Sequence, residues 1–337
     1  MRSIPLRHIF ASVLCLGLVD SCAFCQATPA SSKELLGSVA AQKIIIDTDI
    51  GGDIDDAFAV ALALQSPEFE ILGMASTSGD TTLRARLLSR LLQESGRSDI
   101  PVSVGVAKNP KPGAGVSQAP YADGGPTGQR YAGAVEFLLK QIRRHPGEIT
   151  LIAIGPLTNI GTAIDQDATT FGQLKRVVIM GGSVYRGYDN ARAAATEPSA
   201  EYNIMADVPA ARKLFGSGVP LYVMPLDSTQ IKLEEVRRAR LLMSGTPLTD
   251  ALTLLYYQWS GGSMRTPTLF DPVAVAYAMH PELCPTEPLR LRVDEKGYTR
   301  VDSGGPNCEV CLHSDPEKLL DFFMARLAAP LRRHDTP

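Results

Sequence analysis

The segment Asp47-Thr-Asp49-Ile-Gly51-Gly-Asp53-Ile-Asp55-Asp56 places five carboxylates within ten residues, directly behind the apolar run Lys43-Ile-Ile-Ile46. Carboxylates packed that closely repel one another unless a cation neutralises them. Their oxygens suit a hard ion, and Ca2+ takes six to eight oxygen ligands. The plainer alternative is helix capping. Asp55 and Asp56 fall in the first turn of a helix predicted over 54–64, where the helix dipole favours negative charge. Capping accounts for two of the five acids and leaves three.

Other chemistries fit less well. Counted from Asp47, the twelfth position is Phe58 rather than the Glu that closes an EF-hand loop. The Gly-Lys-Ser/Thr of a phosphate-binding loop is absent. An Asp-x-Asp behind a strand also suits a phosphatase that forms an aspartyl-phosphate, but Gly51 stands where Thr or Val is expected; that reading ranks second. Cys308-Glu-Val-Cys311 is one pair, which cannot complete a tetrahedral zinc site. It reads as a strand, where residues three apart face opposite sides. A disulfide through Cys284 suits an oxidising compartment, and the pairing stays open.

The acids need a scaffold that holds a loop behind a strand. Short apolar runs alternate with helical patterns along the chain. Strands are predicted over 43–47, 69–77, 101–105, 149–155, 176–182 and 220–226. Helices are predicted over 54–64, 82–96, 129–145, from Pro156, and over 207–215. Residues 113–128, with five Gly and two Pro, predict a loop, and 183–206 a long irregular segment. Beyond 228 the pattern is mostly helical, with short strands near 289–293 and 307–312 and a last helix from Pro316. The alternation implies an α/β fold: an open, mostly parallel sheet with helices on both faces. Such sheets hold ligands in the crevice at the carboxyl ends of their strands. No repeat or long linker divides 43–330, which reads as a single domain.

Arg2, Arg7 and His8, the apolar run 9–19 and the small residues Ser21, Ala23 and Ala27 have the layout of a secretory signal peptide. An apolar run of about 11 residues is too short to span a bilayer. Residues 1–27 are expected to leave and 28–42 to form a polar linker, giving an exported protein, periplasmic or secreted. Lipid attachment at Cys22 is the weaker alternative, since Asp20 fits it poorly. The net charge is -3, with no basic tract interleaved with aromatics. Nucleic acid is therefore not an expected partner, and a small molecule is.

The acidic loop resembles the amino-terminal motif of the inosine–uridine nucleoside hydrolase family, in the variant with two extra residues before the final Asp pair. Thr77-Ser-Gly-Asp80, Ile154-Gly-Pro-Leu-Thr158-Asn159, Met180-Gly-Gly182, Ala200-Glu201-Tyr-Asn203, Pro225-Leu-Asp227 and Phe270-Asp271-Pro272 are similar to further motifs of that family, in the same order, across about residues 43–325. The resemblance implies a Rossmann-like hydrolase fold and calcium-dependent hydrolysis of ribonucleosides to ribose and free base. It also implies a homo-oligomer, dimer or tetramer. By the same resemblance, Asp49 and Asp56 bind Ca2+ with the backbone carbonyl of Thr158 and the carboxylate of Asp271. Asp49 serves as general base on water. Asp55 and Asp80 bind ribose hydroxyls, Glu201 and Asn203 hold the 5′-hydroxyl end, and Met180 packs beneath the sugar or in the core. Asp47 braces the loop, and Asp53, in the insertion, inherits no role. The spacing of Glu201 and Asn203 puts both on one side of an extended segment.

Three departures stand out. Asp80 replaces an Asn, keeping an acceptor and losing the amide donor. Ala195 replaces another Asn, for which Asn190 is a candidate substitute. Phe270 stands where many members have a His that protonates the leaving base, and a phenyl ring donates no proton. Trp259 and Phe270, with Tyr256 and Tyr257, are candidate stacking faces for a base; helix packing is their competing use. These departures keep a second class open: a nucleoside- or sugar-binding protein that retains the calcium site without turnover.

Overall fold

A computed structural model of the chain describes residues 41–108, 113, 115–126, 128–189 and 196–328. The expected leader, all but the last two residues of the expected linker, and both Asn190 and Ala195 lie outside the described residues.

The first half alternates strand and helix as the apolar periodicity requires: β1 (Gln42–Thr48), α1 (Asp55–Leu64), β2 (Phe69–Ser76), α2 (Thr81–Glu94), β3 (Val102–Val104), α3 (Ala119–Ala122), β4 (Ala132–Gly133), α4 (Ala134–Arg144), β5 (Thr150–Ala153), α5 (Thr158–Phe171) and β6 (Arg176–Met180). There follow α6 (Tyr202–Ala206), α7 (Val208–Phe215), β7 (Leu221–Met224), α8 (Leu226–Thr229), α9 (Glu235–Leu242), α10 (Pro247–Ser260) and α11 (Phe270–Met279). The chain closes with β8 (Glu287–Leu289), β9 (Leu291–Val293), β10 (Thr299–Val301), β11 (Cys308–Val310) and α12 (Pro316–Leu327).

Nine strands form one sheet in the order β4-β3-β2-β1-β5-β6-β7-β11-β8, and β9 pairs antiparallel with β10 apart from it. Every pairing in the large sheet is parallel except β11 with β8. Successive strands run outward from β1 in one direction and from β5 in the other, so the order reverses between these two neighbours. That reversal opens a crevice at their carboxyl ends, where the acidic loop leaves β1.

β1 feeds two cores by simple alternation: Ile44 and Ile46 enter one apolar cluster and Ile45 the other. All ten residues of α1 are buried, which suits a helix that is apolar nearly all round. It packs against α11, and Phe58 meets Phe323 of α12 edge-on at 5.9 Å. The acidic loop is thereby anchored at both ends in solid core.

Several elements differ from expectation. A short helix, α3, sits in the Gly-rich stretch read as loop, where Tyr121 plugs the core. The helix expected from 129 starts at 134, because Ala132–Gly133 pair with β3 first. Residues 202–206 are helical rather than irregular, since the Glu201 carboxylate caps them. β10 carries no apolar run and takes its register from β9. Cys284 and Cys311 form a disulfide with Cα atoms 5.7 Å apart, and Cys308 is a buried free thiol in the opposite core cluster, as strand alternation demands. Among the described residues no helix is long and apolar enough to cross a membrane.

Candidate active site

A cleft of about 320 Å³ opens at the strand-order reversal, within the range of small-molecule sites. Its lining includes Asp49, Asp53, Asp55, Asp56 and Asp271 together with Glu201. One carboxylate oxygen each from Asp55, Asp56 and Asp271 lies within 4.8 Å of the others. Asp271 reaches this spot from the start of α11, where its backbone N–H donates to Asp55 Oδ2 at 3.4 Å. Thr48 Oγ1 donates to Asp56 Oδ1 at 2.5 Å, fixing that carboxylate.

Burial is the first cause of the unusual proton affinities here. It pushes Asp49 up to about 6, against the opposing charge of Arg84. Burial, then the neighbouring carboxylates, holds Asp55, Asp56 and Asp271 well above the usual carboxylate range. Such a group is stable as anions only beside a cation. The donors are all oxygens, which is what Ca2+ or Mg2+ requires and what a zinc or copper site seldom offers.

Asp47 stays outside the lining. It is buried, pushed up to about 8, and held by Asn159 Nδ2 at 3.1 and 3.2 Å. The same amide also donates to Ser76 O at 3.0 Å, while its carbonyl oxygen accepts from Val106 N at 2.8 Å. Asp47 therefore braces the loops after β1, β2 and β3 rather than touching a ligand.

The far wall is built by the turn after β6 and by α6. Glu201 accepts backbone N–H groups from Asn203 (2.9 Å), Gly182 (3.0 Å) and Ile204 (3.1 Å), yet burial still raises it to about 7. Asn203 Nδ2 donates to Met180 O at 3.1 Å. Both side chains line the cleft because one caps α6 and the other sits in its first turn, not because they alternate along an extended segment. Met180 is 3% exposed, inside the core, and also lines the cleft.

Three expected site residues fall elsewhere. Thr158 lines a neighbouring hollow; its hydroxyl donates to Asp207 Oδ2 and its carbonyl accepts from Thr162 Oγ1, both at 2.8 Å. The residue of that segment in the cleft is Ile154, four positions earlier, at the end of β5. Gly155 beside it lies so close to Asp49 that a Cβ there would stand 2.7 Å from Oδ1. Asp80 is the N-cap of α2, accepting from Leu83 N at 3.0 Å and from Gly113 N at 3.3 Å, and does not line the cleft. Trp259 also stays out of the lining: it packs on Tyr256 and under the Arg265 guanidinium at 4.3 Å, and its hydrogen bond favours the charged form of Asp53.

Phe270 is in the cleft, and Tyr188 meets it edge-on with ring centroids 6.2 Å apart. Sequence reasoning missed Tyr188, because its segment has no regular pattern. The signal lay in Asp227, whose carboxylate gathers the N–H groups of Val184 and Tyr185 at 2.8 Å and of Arg186 at 3.1 Å, bending that segment back over the site. Arg84 was missed as well; it reads as one more polar position on an amphipathic helix, yet it is buried and lines the cleft.

Known proteins agree with this architecture. A family model described as inosine-uridine preferring nucleoside hydrolase matches residues 44–321. A probable uridine nucleosidase 2 of Oryza sativa subsp. japonica is 31% identical over 286 residues, covering 78% of this chain and 82% of its own. The pyrimidine-specific ribonucleoside hydrolase RihA of Citrobacter koseri is 30% identical over 317 residues, covering 85% and 97%. The solved structure of a plant nucleoside hydrolase, the PpNRh1 enzyme, superposes with a TM-score of 0.73 at 27% identity, covering 86% of this chain and 99% of that one.

Proposed function

The chain belongs to the inosine-uridine preferring nucleoside hydrolase family, enzymes that hydrolyse N-glycosyl bonds of nucleosides, and from that premise we propose that its cleft cleaves ribonucleosides with Ca2+ as the resident cation. One observation carries the reading: Asp55, Asp56 and Asp271 gather their oxygens although Asp271 lies 216 residues from Asp55 in sequence. In this reading those three hold the ion, with Asp49 and the main chain at Ile154 beside them. When bound, calcium grips a ribose diol and lowers the pKa of water.

The protein's own residues do the rest. Among the four calcium-site carboxylates, Asp49, Asp55, Asp56 and Asp271, Asp49 has the most moderate upward shift, so it is the one suited to take a proton from attacking water. Asp55 accepts from a ribose hydroxyl as well as binding the ion. Glu201 and Asn203 receive the other end of the sugar. Tyr188 and Phe270 form the apolar wall on which the departing base rests. Phe270 has no proton to give, and burial raises the Tyr188 hydroxyl out of the useful range. Departure of the base therefore draws on stacking and on protons from water.

Uridine is the first substrate to test, given the names of the curated relatives. The protein is dialysed against chelator and assayed for free ribose with uridine, cytidine, inosine and adenosine, with and without added calcium. We expect release that falls at least about tenfold on chelation and returns with calcium. Release indifferent to chelation would remove calcium from the account. Calorimetric binding without ribose from any of the four would favour the binding-protein alternative.

Export and assembly belong to the same proposal. A buried Cys284–Cys311 bridge suits an oxidising compartment. Amino-terminal sequencing of the exported protein should begin after Ala23 or Ala27; full-length chain retained in the cytosol would refute export. Exposed Val236, Met243, Leu254, Tyr257 and Met264 on and beside α9 and α10 supply apolar surface for a dimer or tetramer, which light scattering tests.

A further inference from the structure

Among the described residues, Arg84 is the one cation that lines the acidic cleft. It springs from the first turn of α2 and is only 3% exposed. Its guanidinium takes acceptors from two loops. Nε donates to Ser78 O at 2.9 Å, and Nη1 donates to Ile50 O at 2.9 Å and to Asp49 O. Nη2 lies 3.9 Å from Asp49 Oδ2.

Both loops bend to make this arrangement. Ser78 has φ 69°, a left-handed conformation that is strained for a non-glycine residue. Gly51 has φ 109°, and a Cβ there would sit 2.9 Å from Val116 Cγ1 and 3.0 Å from Leu87 Cδ1. Gly51 lets the loop pack this closely on α2, the helix that carries Arg84. An arginine with a purely structural duty needs only the three carbonyls. Here the remaining nitrogen faces the carboxylate that reaches into the cleft.

We propose that Arg84 is a positioning residue of the reaction, setting the orientation of Asp49 from beneath while the carbonyls of Ser78, Asp49 and Ile50 hold its own plane fixed. A lysine cannot replace it, because a single ammonium does not span acceptors from two loops and a carboxylate at once. The inference rests on Asp49 acting as the base.

The test compares wild type with Arg84→Ala, Arg84→Lys and Asp49→Asn in the calcium-loaded enzyme, measuring kcat and KM by ribose release and folding by thermal melting. Arg84→Ala is expected to lose about 100-fold in kcat, since displacing a catalytic group by about 1 Å costs that much, with KM changed less than about threefold. Guanidinium chloride at a few tens of millimolar should restore a good part of that kcat in Arg84→Ala and leave Asp49→Asn inactive. Arg84→Lys should stay impaired. A folded Arg84→Ala with near wild-type kcat, beside an inactive Asp49→Asn, would overturn the role of Arg84 alone. So would a loss confined to KM that guanidinium does not reverse. If Arg84→Ala does not fold, near wild-type kcat in Arg84→Lys decides against the proposal and a deep loss decides for it. An active Asp49→Asn would bring down the base assignment, and this inference with it.

Discussion

At the scale of single residues, the site concentrates acids where water is scarce and lets position, not acid type, divide their work. Asp47, Asp49, Asp55 and Asp56 are chemically identical, yet Asn159 holds the first, Arg84 the second, and their mutual proximity the rest. If Asp49 is the base, Asp49→Asn keeps the size and loses the proton acceptor; kcat should fall by roughly 10²–10⁴ with KM little changed. Unaltered turnover would reassign the base. Gly155 offers an independent check. Gly155→Ala would put a methyl 2.7 Å from both Asp49 Oδ1 and Thr77 Cγ2, so turnover should drop about tenfold or more even though no chemical group is removed. Full activity in that variant would mean that Asp49 moves freely. The acids themselves were legible in the sequence because five carboxylates on one turn have few other uses. Thr158 and Asp80 were misplaced because a motif gives order along the chain but not which atom faces inward. The helix start at Thr158 turns its carbonyl into α5, and the start of α2 spends Asp80 on a cap.

At the scale of elements, strands and long helices followed apolar periodicity closely, because each buries a regular face against the sheet. What escaped were elements held by single polar contacts: α6, which Glu201 caps, the Tyr188 segment, which Asp227 gathers, and β10, which borrows its register. The disulfide is a further tie of this kind. Cys284 follows the helix that begins at Phe270–Asp271, and Cys311 follows β11, so the bridge pins the end of α11 to the sheet. With the cysteines 27 positions apart in sequence, the chain-entropy effect on the unfolded state is about 3–4 kcal/mol. Cys311→Ser should lower the melting temperature by roughly 5–10 °C. It should also weaken calcium binding, since α11 delivers Asp271. Wild-type stability in the variant would show that core packing around α1 and α11 suffices by itself.

At the scale of the whole molecule, the raised carboxylates make folding and calcium compete with protons. In the unfolded chain these acids titrate near 3.8 to 4.5; in the folded protein Asp49 moves to about 6, Glu201 to about 7 and Asp47 to about 8, burial being the first cause each time. A carboxyl whose folded pKa is raised holds its proton in the native state after the unfolded chain has lost it. Its contribution to stability is complete below about pH 4 and is lost as pH climbs through 6 to 8. Calcium-free protein should therefore melt at progressively lower temperature from pH 5 to pH 8. Calcium binds the anionic forms of Asp55, Asp56 and Asp271, which burial and mutual repulsion also raise, and expels their protons, and it stabilises only the folded state. The rise in melting temperature on adding calcium should consequently be small at pH 5 and largest at pH 8. Melting curves at pH 5, 6.5 and 8, each with chelator and with millimolar calcium, read both slopes. An increment that is equal at the two ends, or larger in acid, would mean that the clustered acids are not where the ion binds.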